Sequence, residues 1–167
     1  MSLATAIRNW DGKSADDIAR VYEEFAGRKN FVGSLVSYLE QEELQLGASW
    51  LLKAWCTDGK KLSGEQTTRL LATLPALQSW GGRLHCLQCL DFLAIPDACE
   101  QPLEQFLRRQ LTHENSFVRA WAYNGYAVLS RKNSAYRKET ESLFEMAMRD
   151  EPASVKARIR QVRKKNW

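Results

Sequence analysis

Glu114-Asn115-Ser116-Phe117-Val118-Arg119-Ala120-Trp121-Ala122 is the stretch whose reading decides the fold. Asn115 is placed to begin a helix, because its side-chain oxygen can accept an early backbone N–H that no helical carbonyl reaches. Beyond it Val118, Ala122 and Gly125 stand at steps of four and seven, on one helical face. Eleven and twelve residues before Val118 lie Leu107 and Phe106, an apolar pair suited to the inner face of a preceding helix.

Working outward, the same spacing recurs. Gly47, Gly82, Val118 and Val155 are equivalent points separated by 35, 36 and 37 residues. The pairs before them are Leu35-Val36, Leu70-Leu71, Phe106-Leu107 and Leu143-Phe144. Four residues after each point come Leu51, Cys86, Ala122 and Ile159, and seven after come Ala54, Cys89, Gly125 and Val162. A period in the middle thirties with two apolar stripes per unit predicts paired helices that bury their faces by stacking. The expected helices are 15–27, 31–41, 44–57, 64–74, 79–94, 99–112, 116–131, 135–149 and 153–165, with a further short one over 2–9. Ser14, Asn30, Ser63, Ser79, Asp97, Asn115 and Ser134 are placed as helix starts, Ser14 with Asp17 and Ser63 with Gln66 or nearby Glu65. Pro102 pushes the start of its helix towards 101, and Pro152 fits a first turn, where its missing N–H costs nothing. Alternating strand patterns and Asn-Gly or Asp-Gly hairpin turns between them are absent from the sequence.

The 114–122 stretch resembles the opening of the second helix of a HEAT repeat: an acidic or turn residue, then Val-Arg, then alanines. Asp150-Glu151-Pro152-Ala153-Ser154-Val155-Lys156-Ala157 is similar, with lysine for arginine. Gly82-Arg83 keeps the basic residue and loses the valine, and Gly47-Ala48 keeps neither. The resemblance, to the HEAT/armadillo-like superfamily, covers residues 31–165. It implies an all-α, right-handed α-α superhelix of about four to five helix pairs, with one domain spanning 1–167. A fifth, N-terminal pair would include Ala6-Ile7 and Ile18.

Composition bounds the function classes. With 44% hydrophobic residues the chain has material for a core. Its apolar runs fall short of the roughly 20 residues that cross a bilayer. The first residues lack the pattern of a secretory signal, so a cytoplasmic protein with reduced thiols is expected. The net charge of +4 is uneven: residues 1–83 balance ten cations with ten acids, residues 84–152 carry eight against ten, and 153–167 hold six cations and no acid.

Arg83, Arg119 and Lys156 each stand one residue after a reference point. As structural groups they would bridge to acids or carbonyls of a neighbouring repeat, the use that the HEAT resemblance implies. As functional groups, Arg119, Tyr123, Lys156 and Arg160 would form a basic strip on the concave side that second helices line in such solenoids. Tyr123 and Asn124 are expected to be exposed and are the first candidates for a partner contact. Lys156, Arg160, Arg163 and Lys164 fall near one side of the last helix, either a solvated cap or a phosphate-binding patch. Trp50, Trp55 and Trp121 read as packing residues, while Trp10, Trp80 and Trp167 read as surface anchors. His85-Cys86-Leu87-Gln88-Cys89 lacks a second ligand pair for zinc and puts both thiols where the repeat wants apolar groups. No metal, cofactor or small-molecule substrate is expected. With two histidines and no phosphate loop or nucleophile elbow, the expectation is a non-enzymatic scaffold binding a protein or peptide. The alternatives are nucleic-acid binding by the basic C-terminal helix, helped by Arg83 and Arg119, or an enzyme analogous to the HEAT-like DNA alkylation-repair glycosylases, whose motifs have no residue-by-residue match here.

Overall fold

A computed structural model describes residues 1–165; the surface-anchor expectation for Trp167 lies outside them. The fold is all-helical, with 77% helix and, among the described residues, ten α-helices and no strand. The chain divides into two compact units, Met1–Pro96 and Asp97–Trp167.

The first unit contains α1 (Leu3–Arg8), α2 (Ala15–Phe25), α3 (Phe31–Tyr38), α4 (Gln45–Thr57), α5 (Gly64–Thr73) and α6 (Trp80–Cys89). Its helix starts follow the local chemistry. Ser14 accepts the Asp17 N–H, Ser79 accepts that of Gly82, and Ser63 and Gln66 form a full capping box. Asn30 departs from expectation: it precedes α3 at φ 63° without a side-chain cap bond, so it serves through its tolerance of the left-handed conformation. The long interface of this unit is α4 against α6, with α3 and α2 also packed on α4. Gly47 lets α1 approach α4, since a Cβ there would lie 2.6 Å from Ile7 Cγ2.

The second unit contains α7 (Glu100–Gln110), α8 (Ser116–Lys132), α9 (Arg137–Asp150) and α10 (Ala153–Lys164). Pro102 sits in the first turn of α7, where its N–H would have no helical partner, so the helix can start before it. Asn115 caps α8 through the Phe117 N–H, and Asn133 rather than Ser134 caps the 3-10 turn leading into α9. Helix α8 is the hub, packed by α7, α9 and α10. Its core residues Ala120, Tyr123 and Ala127 meet Phe144 and Ala147 of α9 and Val155, Ile159 and Val162 of α10.

The sixteen repeat positions read from the sequence are buried, apart from half-buried Leu143 and Ala54. In each unit the heaviest packing joins the second helices of successive pairs, α4 to α6 and α8 to α10. Within each unit the second helices thus bury their apolar stripes against each other.

Candidate functional site

The expected basic strip is largely engaged within the protein. Arg83 Nε donates to the Leu77 carbonyl at 2.9 Å. Arg119 donates through Nη1 to the carbonyls of His113 (2.8 Å) and Glu114 (3.1 Å), and through Nε to both carboxylate oxygens of Glu151 (3.1 and 3.0 Å). Lys156 Nζ donates to the Arg149 carbonyl at 3.3 Å. Each cation reaches back five to seven residues, to a backbone carbonyl of the segment that precedes its own helix. The carbonyls belong to the cation's own pair, and the Arg119–Glu151 bridge reaches the next. The first pair has no such cation, and buried Gln45 takes the role: its Nε2 donates to the Leu39 carbonyl at 3.1 Å while its Oε1 accepts the Gln78 N–H at 2.8 Å. Sequence equivalence missed Gln45 because it lies two residues before Gly47 rather than one after.

Tyr123 and Asn124 correct the expectation of exposure, being only 6% and 2% exposed. Helix α8 is covered by three neighbours rather than one, so positions beyond its main stripe are buried too. The Tyr123 ring meets Phe144 edge-on at 6.3 Å. Burial first, then Glu151, pushes the Tyr123 phenol up to about 12. A groove of about 450 Å³ beside it is lined by Arg119, Glu114, Asp150 and Glu151, so acids outnumber the one paired guanidinium. On α10, Arg158 stacks over Trp121 at 3.8 Å and Arg163 lies 5.8 Å from the Phe144 ring centroid. Arg160 and Lys164 are exposed on the same helix, and Lys165 is exposed just after its end.

Cys86 and Cys89 are buried free thiols. Burial holds the Cys86 thiol up at about 12, and a hydrogen bond with Cys56 followed by burial raises that of Cys89. No cluster of three metal-ligating side chains occurs among the described residues.

A site that the sequence did not assemble lies in the first unit. Trp10, Trp50 and Trp80 wall a pocket of about 390 Å³, together with Leu46, Leu84, His85 and Lys13. Three segments position them. The α1–α2 turn carries Trp10, whose Nε1 donates to the Ser14 carbonyl at 2.8 Å. That turn is fixed by Gly12 at φ 75° and by Asp11, whose Oδ1 accepts the N–H groups of Lys13 (2.8 Å) and Ser14 (2.9 Å). Helix α4 supplies Leu46 and Trp50, and α6 supplies Trp80, Leu84 and His85. Gly81 lets α6 close on α4, because a Cβ there would meet Leu46 Cδ1 at 2.7 Å.

His85 is held neutral, its pKa lowered to about 4 by burial first and by Lys53 second. Ser49 Oγ donates to the Leu46 carbonyl at 2.9 Å and lies within hydrogen-bond distance, 3.0 Å, of Nδ1 of His85. Lys53 stands 5.8 Å from the Trp50 ring centroid. Trp80 forms the open side and is 51% exposed. The surface role expected of Trp80 fits this position. Trp50, read as a packing residue, is half-buried in the pocket wall, and His85, weighed as a metal ligand, belongs to the wall as well. The arrangement offers aromatic faces, aliphatic walls and a peripheral cation, suited to holding an apolar group rather than to transferring a proton.

The chain matches no protein-family model, no curated protein and no solved structure.

Proposed function

We propose that this protein is a non-enzymatic, HEAT-like scaffold that binds a protein or peptide partner on the face formed by its second helices. One observation carries the reading: the three-tryptophan pocket opens between α4 and α6, the second helices of successive pairs, with Trp80 at its mouth. Tryptophans at partly open sites are typical anchors of protein interfaces, since they bury a large apolar area at little cost in conformational freedom. The recurring helix pairs and cation-to-carbonyl clamps support the HEAT-like, right-handed stacking on which the proposal draws. Arg83 and Arg119, which would help the basic C-terminal helix to grip a nucleic acid, already donate to protein carbonyls, which weighs towards a protein partner.

The test is affinity purification from the source cell with the parent protein and Trp80→Ala, each with and without nuclease. The reading expects partners that survive nuclease and are lost with Trp80→Ala while the circular dichroism spectrum is unchanged. Identical partner sets for the two proteins would refute it, and partners lost on nuclease treatment alone would favour a nucleic acid.

A further inference from the structure

We propose that the Trp10–Trp50–Trp80 pocket seats one large apolar side chain of an acidic peptide segment, a preference that rests on the partner-binding reading above. The size and openness of the site argue for a peptide anchor. At about 390 Å³ it lies near the lower end of the roughly 300–1,000 Å³ typical of ligand sites. Its Trp80 wall is half open, so an occupant keeps a solvent-facing side, as a side chain projecting from a longer chain would.

Charge complementarity selects the flanking residues. Lys13 is the one charged side chain of the lining, and Lys53, outside it, lies 5.8 Å from the centroid of the Trp50 ring. No carboxylate lines the pocket. Aromatic cages attract ammonium groups through their ring faces. Here Lys53 already lies near one of the three indoles, and Lys13 repels a second cation entering beside it. Neutral His85 adds no negative charge that would draw one in. The anionic Asp11 of the nearby turn has its carboxylate turned onto the N–H groups of Lys13 and Ser14. An apolar side chain flanked by carboxylates therefore fills the aromatic walls and places its charges towards the two lysines.

The test uses three acetylated, amidated tripeptides with phenylalanine between two glutamates, two glutamines or two lysines, together with phenylacetate as a small free acid. Each is titrated into 15N-labelled protein while the indole N–H signals are followed, assigned with single Trp→Phe variants. The glutamate peptide is expected to shift the signals of Trp10, Trp50 and Trp80 and to half-saturate at roughly fivefold lower concentration than the lysine peptide, the size expected for exposed charge pairs. Trp80→Ala should abolish the shifts, and Lys13→Glu should erase or reverse the preference; both residues lie at the surface, so the fold survives either change. Equal binding of the three peptides, or tighter binding of the lysine peptide, overturns the acidic preference while leaving a partner-binding pocket in place. Binding of phenylacetate alone overturns the peptide assignment in favour of a small acid. Silence with every probe removes the pocket as a docking site altogether.

Discussion

Arg119→Met is the perturbation that separates a structural arginine from a ligand-binding one. Methionine keeps the apolar stem and removes every donor. The change strands the carbonyls of His113 and Glu114 and leaves Glu151 with the Tyr123 hydroxyl at 3.5 Å as its remaining contact here. The Arg119 and Glu151 side chains are 18% and 14% exposed, between the two well-characterised regimes. Breaking an exposed pair costs about 0–1 kcal/mol, and orphaning one member of a buried pair about 3–5 kcal/mol. The expected loss is therefore about 2–3 kcal/mol. For a chain of this size that corresponds to a fall in Tm of about 5–10 °C. Urea unfolding followed by circular dichroism at 222 nm gives the free energy, with an unchanged m value as the control. Pairing Arg119→Met with Glu151→Gln in a double-mutant cycle should return a coupling of about 1–2 kcal/mol. Lys156→Met, which removes a single 3.3 Å bond, should cost under about 1 kcal/mol. A loss below about 0.5 kcal/mol for Arg119→Met would refute the clamp as a stabilising device and return Arg119 to the list of free binding groups.

Three further outcomes are expected. His85 has a folded pKa of about 4, below its ordinary 6.5, so the unfolded chain takes up the proton first and the stabilising effect, full above pH 6.5, is lost as pH falls towards 4. The difference in unfolding free energy between the parent and His85→Gln should thus change by about 3 kcal/mol across that window, and parallel pH profiles would contradict the buried neutral state. Gly125→Ala places a Cβ 2.4 Å from Cδ2 of fully buried Leu107, so overpacking should outweigh the gain of about 1 kcal/mol in helix propensity and destabilise by about 1–2 kcal/mol, whereas Gly33→Ala, with its nearest neighbour at 3.7 Å, should stabilise, both read by urea unfolding. Ser63→Ala removes the capping box of α5 and should cost about 1 kcal/mol, with faster amide exchange confined to the first turn of that helix.

The sequence alone determined the all-helical class, most of the helix starts and the inner faces. These properties are local or periodic: a cap such as Ser63 or Asn115 acts within three residues, and an apolar group recurring at steps of four and seven must face inward wherever its helix lies. The positions of Leu71, Leu107 and Phe144 followed from that rule. Tertiary structure decided what covers each remaining face. Tyr123 and Asn124 are buried because α8 has three packed neighbours, a number that no single-helix pattern encodes. Arg119 is clamped because Glu151, 32 residues later, arrives beside it. The tryptophan pocket joins residues from a short turn and two helices separated by 30 to 40 residues, so its existence depends on how closely α4, α6 and the Gly12 turn approach one another. Those distances are set by packing at Gly81 and Leu46, and packing is a property of the assembled chain rather than of any segment within it.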